Sequence, residues 1–270
     1  MDQQSKAQAF GALHHTGEIL ILPNAWDAAS AAVMADAGAK AVATSSAAVA
    51  WSHGYPDGDL LPLPLLLGSI AAAVRAAGDI PVTADIEGGS TDDLATLAAT
   101  SEAVIGAGAV VTNLEDGART PELHARKIEA ARKAADAAGV ALFINARTDV
   151  YLKGLAEGHA AYMETTERAE RYRNAGASGI FAPGPSDPDL IGRLADEIRL
   201  PLNIMLRPGL AKAAQLQALG VRRVSSATAP FRAAYATVAK ATAAFLRDAD
   251  PAAFAAGAEG LGNLNKRFEI

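Results

Sequence analysis

Short apolar runs alternate with longer segments of helical spacing along almost the whole chain. Eight apolar runs have the length of β-strands, at residues 19–22, 41–44, 82–84, 109–114, 140–146, 178–182, 202–206 and 221–225. Eight further segments have the apolar spacing of helices, at residues 26–37, 65–77, 91–106, 121–138, 160–175, 187–198, 209–219 and 230–247. This alternation predicts a parallel sheet covered by helices. Eight strand–helix units in 270 residues favour a closed (β/α)8 TIM barrel over an open doubly wound sheet.

Two segments stand outside this regular alternation. Residues 45–63 form a long connection rich in Ser, Gly, Pro and Asp, and loops of that length are often functional. Residues 251–270 follow the last unit and fit either a further helix or a tail. Because no shift in composition divides the chain, we expect one domain over residues 1–270.

Composition and charge narrow the class of protein. The balance of 24 basic and 30 acidic residues gives a net charge of −6, and the absence of any basic block argues against nucleic acid as a partner. No apolar run reaches the roughly 18 residues that span a membrane, and residues 1–10 lack the apolar core of a signal peptide. We therefore expect a cytoplasmic protein. Zero Cys excludes disulfides, thiolate metal sites and a cysteine acid or nucleophile.

Charged residues follow three consecutive predicted strands at a nearly even pitch. Asp85, Glu115 and Arg147 are 30 and 32 residues apart, which is about one strand–helix repeat. The carboxyl ends of barrel strands meet at one rim, where barrel enzymes keep their active sites. The pattern therefore predicts an active site that contains these three side chains.

The acids of this predicted rim have the spacing of a metal site. Asp85 and Glu87 lie two residues apart on a strand end and share a face, whereas only one of Glu115 and Asp116 can point inward. Two such carboxylates and a third from the next strand form a hard oxygen site for Mg²⁺ or Mn²⁺. The alternative is that these are separate surface acids at helix starts.

Anion-binding groups are also predicted at this rim. Arg147 has the geometry to form a fork with a carboxylate or phosphonate, or else an ion pair with Asp149. The small residues at 44–48 allow backbone N–H groups to approach an anion, although the segment also fits a plain tight connection. Among the histidines, His53 lies near the predicted site, whereas His124 and His159 are predicted to face solvent.

The ordered set of these motifs resembles the isocitrate lyase / phosphoenolpyruvate (PEP) mutase superfamily. The motifs are Ser45-Ser46-Ala47, Asp57, Asp85-x-Glu87, Glu115-Asp116 and Asn145-Ala146-Arg147-Thr148-Asp149. The likeness runs from about residue 20 to about residue 231. It implies an Mg²⁺-dependent barrel enzyme that acts on small 2-oxo or 2-hydroxy acids.

The resemblance also implies roles for individual residues. The residue matching Asp85 binds the metal, and those matching Asp57, Glu87 and Glu115 hold its waters or bind it directly. The residues matching Ser45, Ser46 and Ala47 hold the substrate carboxylate, and the one matching Arg147 binds the anionic substrate. We take Arg147, Glu115 and Asp57 as the catalytic candidates, with Trp26 and Asn203 as further substrate-binding candidates. Members of the superfamily are usually tetramers that exchange a last helix, here 230–247, so we expect a homo-oligomer.

Departures from the superfamily pattern guide the expected reaction. Its lyases carry a Lys-Cys-Gly-His type of loop after the position of Glu115, and its phosphonate mutases carry a Lys and an Asn-Ser pair there. This chain has neither, and the loop is short. The expectation is a metal-dependent lyase that breaks a C–C bond of a small di- or tricarboxylate by retro-aldol cleavage or decarboxylation. The alternatives are a 2-oxo acid binder with little turnover and a phosphonopyruvate P–C hydrolase or mutase.

Overall fold

The computed structural model describes residues 1–269 and confirms the (β/α)8 TIM barrel. All strand pairings are parallel, and the strands follow the order β1-β9-β8-β7-β6-β5-β4-β3-β2. The strands are β1 Leu20–Leu22, β2 Asn24–Ala25, β3 Val42–Thr44, β4 Val82–Asp85, β5 Val111–Glu115, β6 Phe143–Arg147, β7 Gly179–Phe181, β8 Leu202–Met205 and β9 Arg223–Ser225. The helices are α1 Gln3–Leu13, α2 Ala28–Asp36, α3 Ser46–Ser52, α4 Leu63–Ala77, α5 Leu94–Gly106, α6 Pro121–Ala137, α7 Gly158–Asn174, α8 Pro188–Glu197, α9 Ala213–Ala218, α10 Ala229–Asp248, α11 Ala252–Gly257 and α12 Leu264–Arg267.

The barrel closes through one kinked strand. β1 pairs with β9 and β2 pairs with β3, and only Pro23 separates β1 from β2. Proline has no N–H to donate to a strand ladder, so the pairing breaks there. Residues 20–25 therefore act as a single barrel strand that turns from one neighbour to the other, and nine assigned strands fill eight positions.

Helix α3 lies inside the connection that the sequence predicted as a loop. That prediction was wrong for this stretch. Ser45 caps the helix by accepting a hydrogen bond from the N–H of Ala48 (3.4 Å), and the segment that follows is buried, including Val49 and Ala50. Burial of these small apolar residues stabilises a helix that is too short to show a clear periodicity in sequence.

The barrel interior is closed at its N-terminal end by α1, which the strand–helix pattern did not include. Phe10 of α1 is fully buried and packs edge-on against Phe143 at the start of β6, with ring centroids 5.3 Å apart. The guanidinium of Arg223, at the start of β9, lies 5.8 Å from the Phe10 ring centroid. The opposite end of the barrel is thereby the open one.

The chain ends in helices that pack outside the barrel. The predicted helix 230–247 is present as α10, and residues 252–257 and 264–267 form two short helices. Exchange of α10 between subunits stays a prediction. Within residues 1–269, no helix combines the length and hydrophobicity needed to cross a bilayer.

Candidate active site

A cleft of about 670 Å³ opens at the carboxyl ends of the barrel strands. Its lining includes six of the residues that the sequence singled out: Ser45, Ser46, Ala47, Asp57, Asp85 and Arg147. Asp85 and Arg147 come from the ends of β4 and β6, and the other four come from the connection that follows β3. The cleft therefore brings together the predicted anion-binding segment, two of the predicted metal ligands and the predicted guanidinium.

Asp85 ends β4 and is held at the base of the cleft. Its Oδ2 accepts hydrogen bonds from the hydroxyl of Ser46 (3.2 Å) and the Ser46 N–H (3.4 Å), and its Oδ1 accepts one from the N–H of Glu87 (3.3 Å). The hydroxyl of Thr44 accepts from the Asp85 N–H at 2.9 Å, which ties β4 to the end of β3. Burial raises the pKa of Asp85, although the charge of Arg147 opposes the shift.

The strand alternation predicted that Glu87 shares a face with Asp85, but β4 ends before Glu87. Its φ of 53° is in the left-handed region, so the backbone turns out of the strand directly after β4. Its Oε2 accepts hydrogen bonds from the N–H groups of Gly58 (2.9 Å) and Asp59. Burial raises the pKa of Glu87 to about 7, and the charge of Asp57 adds to the rise. The carboxylate thus holds the 58–59 turn beside the cleft and does not line it.

Arg147, at the end of β6, is shared by two carboxylates. Its Nη1 lies 2.6 Å from Oε2 of Glu115, and its Nε and Nη2 donate to the two oxygens of Asp149 at 2.7 and 3.2 Å. Burial disfavours its charge, but Glu115 and Asp149 together raise the pKa of Arg147. Burial raises the pKa of Glu115 to about 8 against the attraction of Arg147, and the charge of Asp149 adds to the rise. Both contacts are the protein ion pairs that the sequence left as the alternative, and the fork between Arg147 and a substrate anion stays a prediction.

Asp116 points away from the cleft, as the alternation along β5 requires for one of the two acids. It is fully buried and accepts hydrogen bonds from Arg168 (2.7 Å), the hydroxyl of Tyr172 (2.7 Å) and the N–H of Asp149 (2.9 Å). It thereby connects the strand ends to α7. Through Asp149, this buried cluster also fixes the side chain of Arg147.

The acids at the mouth fit a divalent cation in chemistry but do not converge on one point. In residues 1–269, no three Asp, Glu or His side chains approach closely enough to enclose an ion. Asp85 lies within electrostatic influence of Asp57, Glu87 and Glu115, and its burial makes an uncompensated negative charge unfavourable. Carboxylate oxygens are the ligands that Mg²⁺ prefers, usually one or two with several waters. The donor set therefore fits Mg²⁺ bound mainly through Asp85.

Four other residues discussed from the sequence lie outside the cleft lining. Trp26 packs edge-on against Phe231, with ring centroids 5.2 Å apart, and Asn203 is buried in β8, where its Nδ2 donates to Ser225 (3.3 Å). His53 contacts Ser69 at 2.9 Å. His124 is fully buried, so the prediction that it faces solvent was wrong. Its ring packs edge-on against an aromatic neighbour at 4.6 Å, which a sequence pattern on α6 could not reveal.

The cleft also contains residues that the site prediction missed. They are Asn24, Asn113, Leu152, Phe181, Met205, Leu206, Arg207, Pro208, Ser225, Ser226, Ala227, Thr228, Ala229 and Arg232. A signal was present for Asn113, because it lies two residues before Glu115 on β5 and shares its face. Arg207 follows the end of β8. It donates to the carbonyl of Gly184 and adds positive charge to the mouth.

A TIM barrel with a buried carboxylate and a guanidinium facing one cleft at its carboxyl end has the arrangement of a barrel enzyme. Residues 10–246 match the family described as phosphoenolpyruvate phosphomutase. The chain belongs to this family, within the PEP mutase/isocitrate lyase superfamily, and is an enzyme of its C–C lyase and mutase class.

Individual relatives agree with this membership. An uncharacterized protein of Mycobacterium tuberculosis is 36% identical over 240 residues, which cover 87% of this chain and 88% of the relative. A crystal structure of a proposed phosphonomutase from Burkholderia cenocepacia is 41% identical, with a TM-score of 0.84, and the match covers 87% of this chain and 98% of that one. An oxaloacetate decarboxylase of Pseudomonas entomophila is 27% identical over 245 residues, covering 88% of this chain and 81% of the relative.

Proposed function

We propose that the protein is a Mg²⁺-dependent lyase that breaks a C–C bond in a small 2-oxo or 2-hydroxy di- or tricarboxylate. The observation that carries the proposal is that Asp85, Arg147 and the segment Ser45, Ser46 and Ala47 line one cleft. A carboxylate that can bind a cation and a guanidinium that can bind an anion therefore face the same small molecule in the cleft. The oxaloacetate decarboxylase among the relatives supports this class of substrate.

Asp85 is the residue that would hold Mg²⁺, and Asp57, which lines the same cleft, would face its waters. A bound Mg²⁺ supplies Lewis-acid stabilisation of the negative charge that develops on a 2-oxo group as the bond breaks. Ser46 keeps the Asp85 carboxylate in place through its hydroxyl and N–H. Glu87 accepts hydrogen bonds from the turn at residues 58–59. These bonds hold the connection at residues 53–62 beside the cleft.

The substrate carboxylates are assigned to two groups of donors. Arg147 presents a guanidinium whose orientation is set by Asp149 and Glu115. Ala47 lies in the first turn of α3, where helix N–H groups lack acceptors within the helix. Such donors bind a carboxylate and hold it against the apolar side chains of Leu152, Phe181 and Met205. Decarboxylation suits this site because it needs no cysteine acid.

Pyruvate release tests the proposal. We expect the protein to release pyruvate from oxaloacetate or a substituted malate in the presence of MgCl₂, and to stop when EDTA is in excess. Full activity in excess EDTA would contradict it. No product across a panel of 2-oxo and 2-hydroxy acids, combined with their binding in calorimetry, would instead favour a 2-oxo acid binder. One observation favours this second candidate. The carboxylates of Glu87 and Glu115 are bound to protein groups and not directed at a common metal position.

A phosphonopyruvate P–C hydrolase or mutase is the third candidate. It is favoured by the proposed phosphonomutase that is 41% identical to this chain. Phosphate release from phosphonopyruvate, with no pyruvate from any C–C substrate, would establish it. The loop at residues 116–120 argues against this candidate, since it lacks the Lys and Asn-Ser pair of the mutases.

A further inference from the structure

Asn113 lies at the floor of the cleft, next to the carboxylate on which the proposed function depends. It is the third residue of β5 and pairs in register with Asp85 of β4. Its side chain lines the cleft although the residue is only 4% exposed. A polar group in this place can contact a molecule that is bound in the cleft.

The amide of Asn113 has its orientation fixed from beneath the floor. Its Oδ1 accepts hydrogen bonds from Nδ2 of Asn145 (2.8 Å) and Nη2 of Arg223 (3.4 Å). Both donors belong to buried residues that do not line the cleft. An amide whose oxygen faces two donors presents its NH₂ group on the other side. In residues 1–269, Nδ2 of Asn113 has no acceptor, and it is not enclosed by protein, so it faces the cleft.

Arg223 is an unusual residue to find in this position. It is fully buried inside the barrel, and its Nε and Nη1 have no partner among the described residues. Its bond to Asn113 crosses the barrel from β9 to β5. A buried, poorly paired cation is destabilising compared with an apolar side chain of similar volume. Packing alone therefore does not account for an arginine here.

We propose that Asn113 is a substrate-binding residue whose Nδ2–H donates to an oxygen of a small anionic 2-oxo acid or dicarboxylate beside Asp85. Arg223 is the positioning residue that, with Asn145, keeps the Asn113 amide in this orientation. The inference rests on the proposed function in taking this cleft as the place where the substrate binds. It does not depend on which bond of the substrate breaks.

Oxalate binding tests the role of Asn113 without any turnover. Calorimetry in excess MgCl₂ would compare the wild type with Asn113→Ala and Asn113→Asp. Both variants lack the donor, and a hydrogen bond to a charged group is worth roughly tenfold or more in affinity. We therefore expect both to bind oxalate at least about tenfold more weakly. Wild-type affinity in either variant, or no oxalate binding by the wild type, would overturn the proposal.

Thermal unfolding separates lost binding from lost folding. Asn113→Ala removes the acceptor of Arg223 and is expected to lower the melting temperature. Asn113→Asp gives the guanidinium a carboxylate partner, so its melting temperature is expected to equal or exceed that of the wild type. A shared loss of oxalate binding with opposite effects on melting cannot come from misfolding. Loss of binding only in the variant that melts earlier would count against a direct contact.

A double-mutant cycle tests the role of Arg223. Arg223→Met leaves Asn113 intact, and we expect it to weaken oxalate binding by about threefold, with partial rescue by Arg223→Lys. Because Arg223 acts through the amide, Arg223→Met should add nothing in the Asn113→Ala background. Independent, additive effects would overturn the positioning role. Oxalate binding that follows these expectations in a protein that releases no pyruvate would leave this inference standing and refute the proposed function.

Discussion

The Asp85 carboxylate is buried where its charge is unfavourable. Burial raises its pKa in the folded protein above that in the unfolded chain, so ionisation of Asp85 at neutral pH opposes folding. Side chains kept at such a stability cost are typical of active sites. The raised pKa agrees with a role in binding a cation.

Replacing Asp85 by Asn should therefore separate stability from activity. We expect Asp85→Asn to melt at a temperature equal to or above that of the wild type, because the amide needs no counter-charge. Mg²⁺-dependent pyruvate release should fall by at least about 100-fold, since charge stabilisation by a metal is worth several kcal/mol. Thermal melts and initial rates measure the two effects. An Asp85→Asn variant with wild-type rates would contradict the assignment.

Two buried imidazoles make stability depend on pH. Burial lowers the pKa of His124 to about 3 and that of His14 to about 4. The unfolded chain takes up protons on both residues below about pH 6.5, whereas the folded protein does not. Their contribution to stability is therefore complete above about pH 6.5 and is lost as the pH falls towards the folded pKa values.

His124→Phe tests this dependence, because phenylalanine keeps an aromatic ring against Tyr172. We expect the free energy of unfolding of the wild type to fall between pH 7 and 5. One such group contributes up to about 1.4 kcal/mol per pH unit, and the slope should be smaller in His124→Phe. Urea unfolding at the two pH values measures it. His159→Gln, in an exposed position, is the control and should keep the wild-type slope. An unchanged slope in His124→Phe would contradict the account.

At the scale of elements, the end of β5 directs two adjacent acids to different partners. Glu115 reaches Arg147 at the mouth, and Asp116 is buried against Arg168 and Tyr172 of α7. The alternation of a strand predicts this division. It does not predict which acid reaches Arg147, because that depends on where the partners from α7 are placed.

Loss of the Asp116 carboxylate should destabilise the protein severely. Asp116→Ala leaves Arg168 buried without its 2.7 Å partner, and breaking a buried pair in this way costs about 3–5 kcal/mol. Urea denaturation measures the loss. Glu164→Ala is the matched control, because it removes the more exposed partner of the same guanidinium and should cost less than about 1 kcal/mol. Equal losses in the two variants would show that Asp116 is not the structural centre of the cluster.

How much could be predicted from sequence differs between elements and site. The strand–helix alternation was sufficient for the barrel, because buried parallel strands and amphipathic helices have distinct periods. Helix α3 was missed because seven small or apolar residues show no clear period. Asp85 and Arg147 were found because strand ends converge at one rim. The turn at Glu87 was missed, because a positive φ at a glutamate has no signal in sequence.

For the whole molecule, exposed apolar side chains on α10 and the segment after it indicate self-association. Tyr235, Val238 and Leu246 of α10 are 48%, 54% and 77% exposed, and Phe254 and Leu261 follow at 41% and 55%. Apolar side chains grouped in this way on a surface usually mark an interface. We expect a homo-oligomer that uses this face.

Light scattering after size exclusion tests this expectation. We expect a mass of at least twice the 27.6 kDa of one chain. Val238→Glu and Leu246→Glu should shift the protein towards the monomer, whereas Leu60→Glu, which changes an exposed leucine outside α10, should not. A monomeric wild type, or assembly unaffected by both α10 variants, would contradict an interface on this face.

In the proposed function, one cleft binds a divalent cation through Asp85 and an organic anion through Arg147. The most direct measurement is a crystal structure of the protein with Mn²⁺ and oxalate, in which anomalous scattering locates the metal. We predict a Mn²⁺ ion coordinated by the Asp85 carboxylate, with oxalate between that ion and Arg147. A Mn²⁺ ion elsewhere, or oxalate bound away from Arg147, would contradict the account.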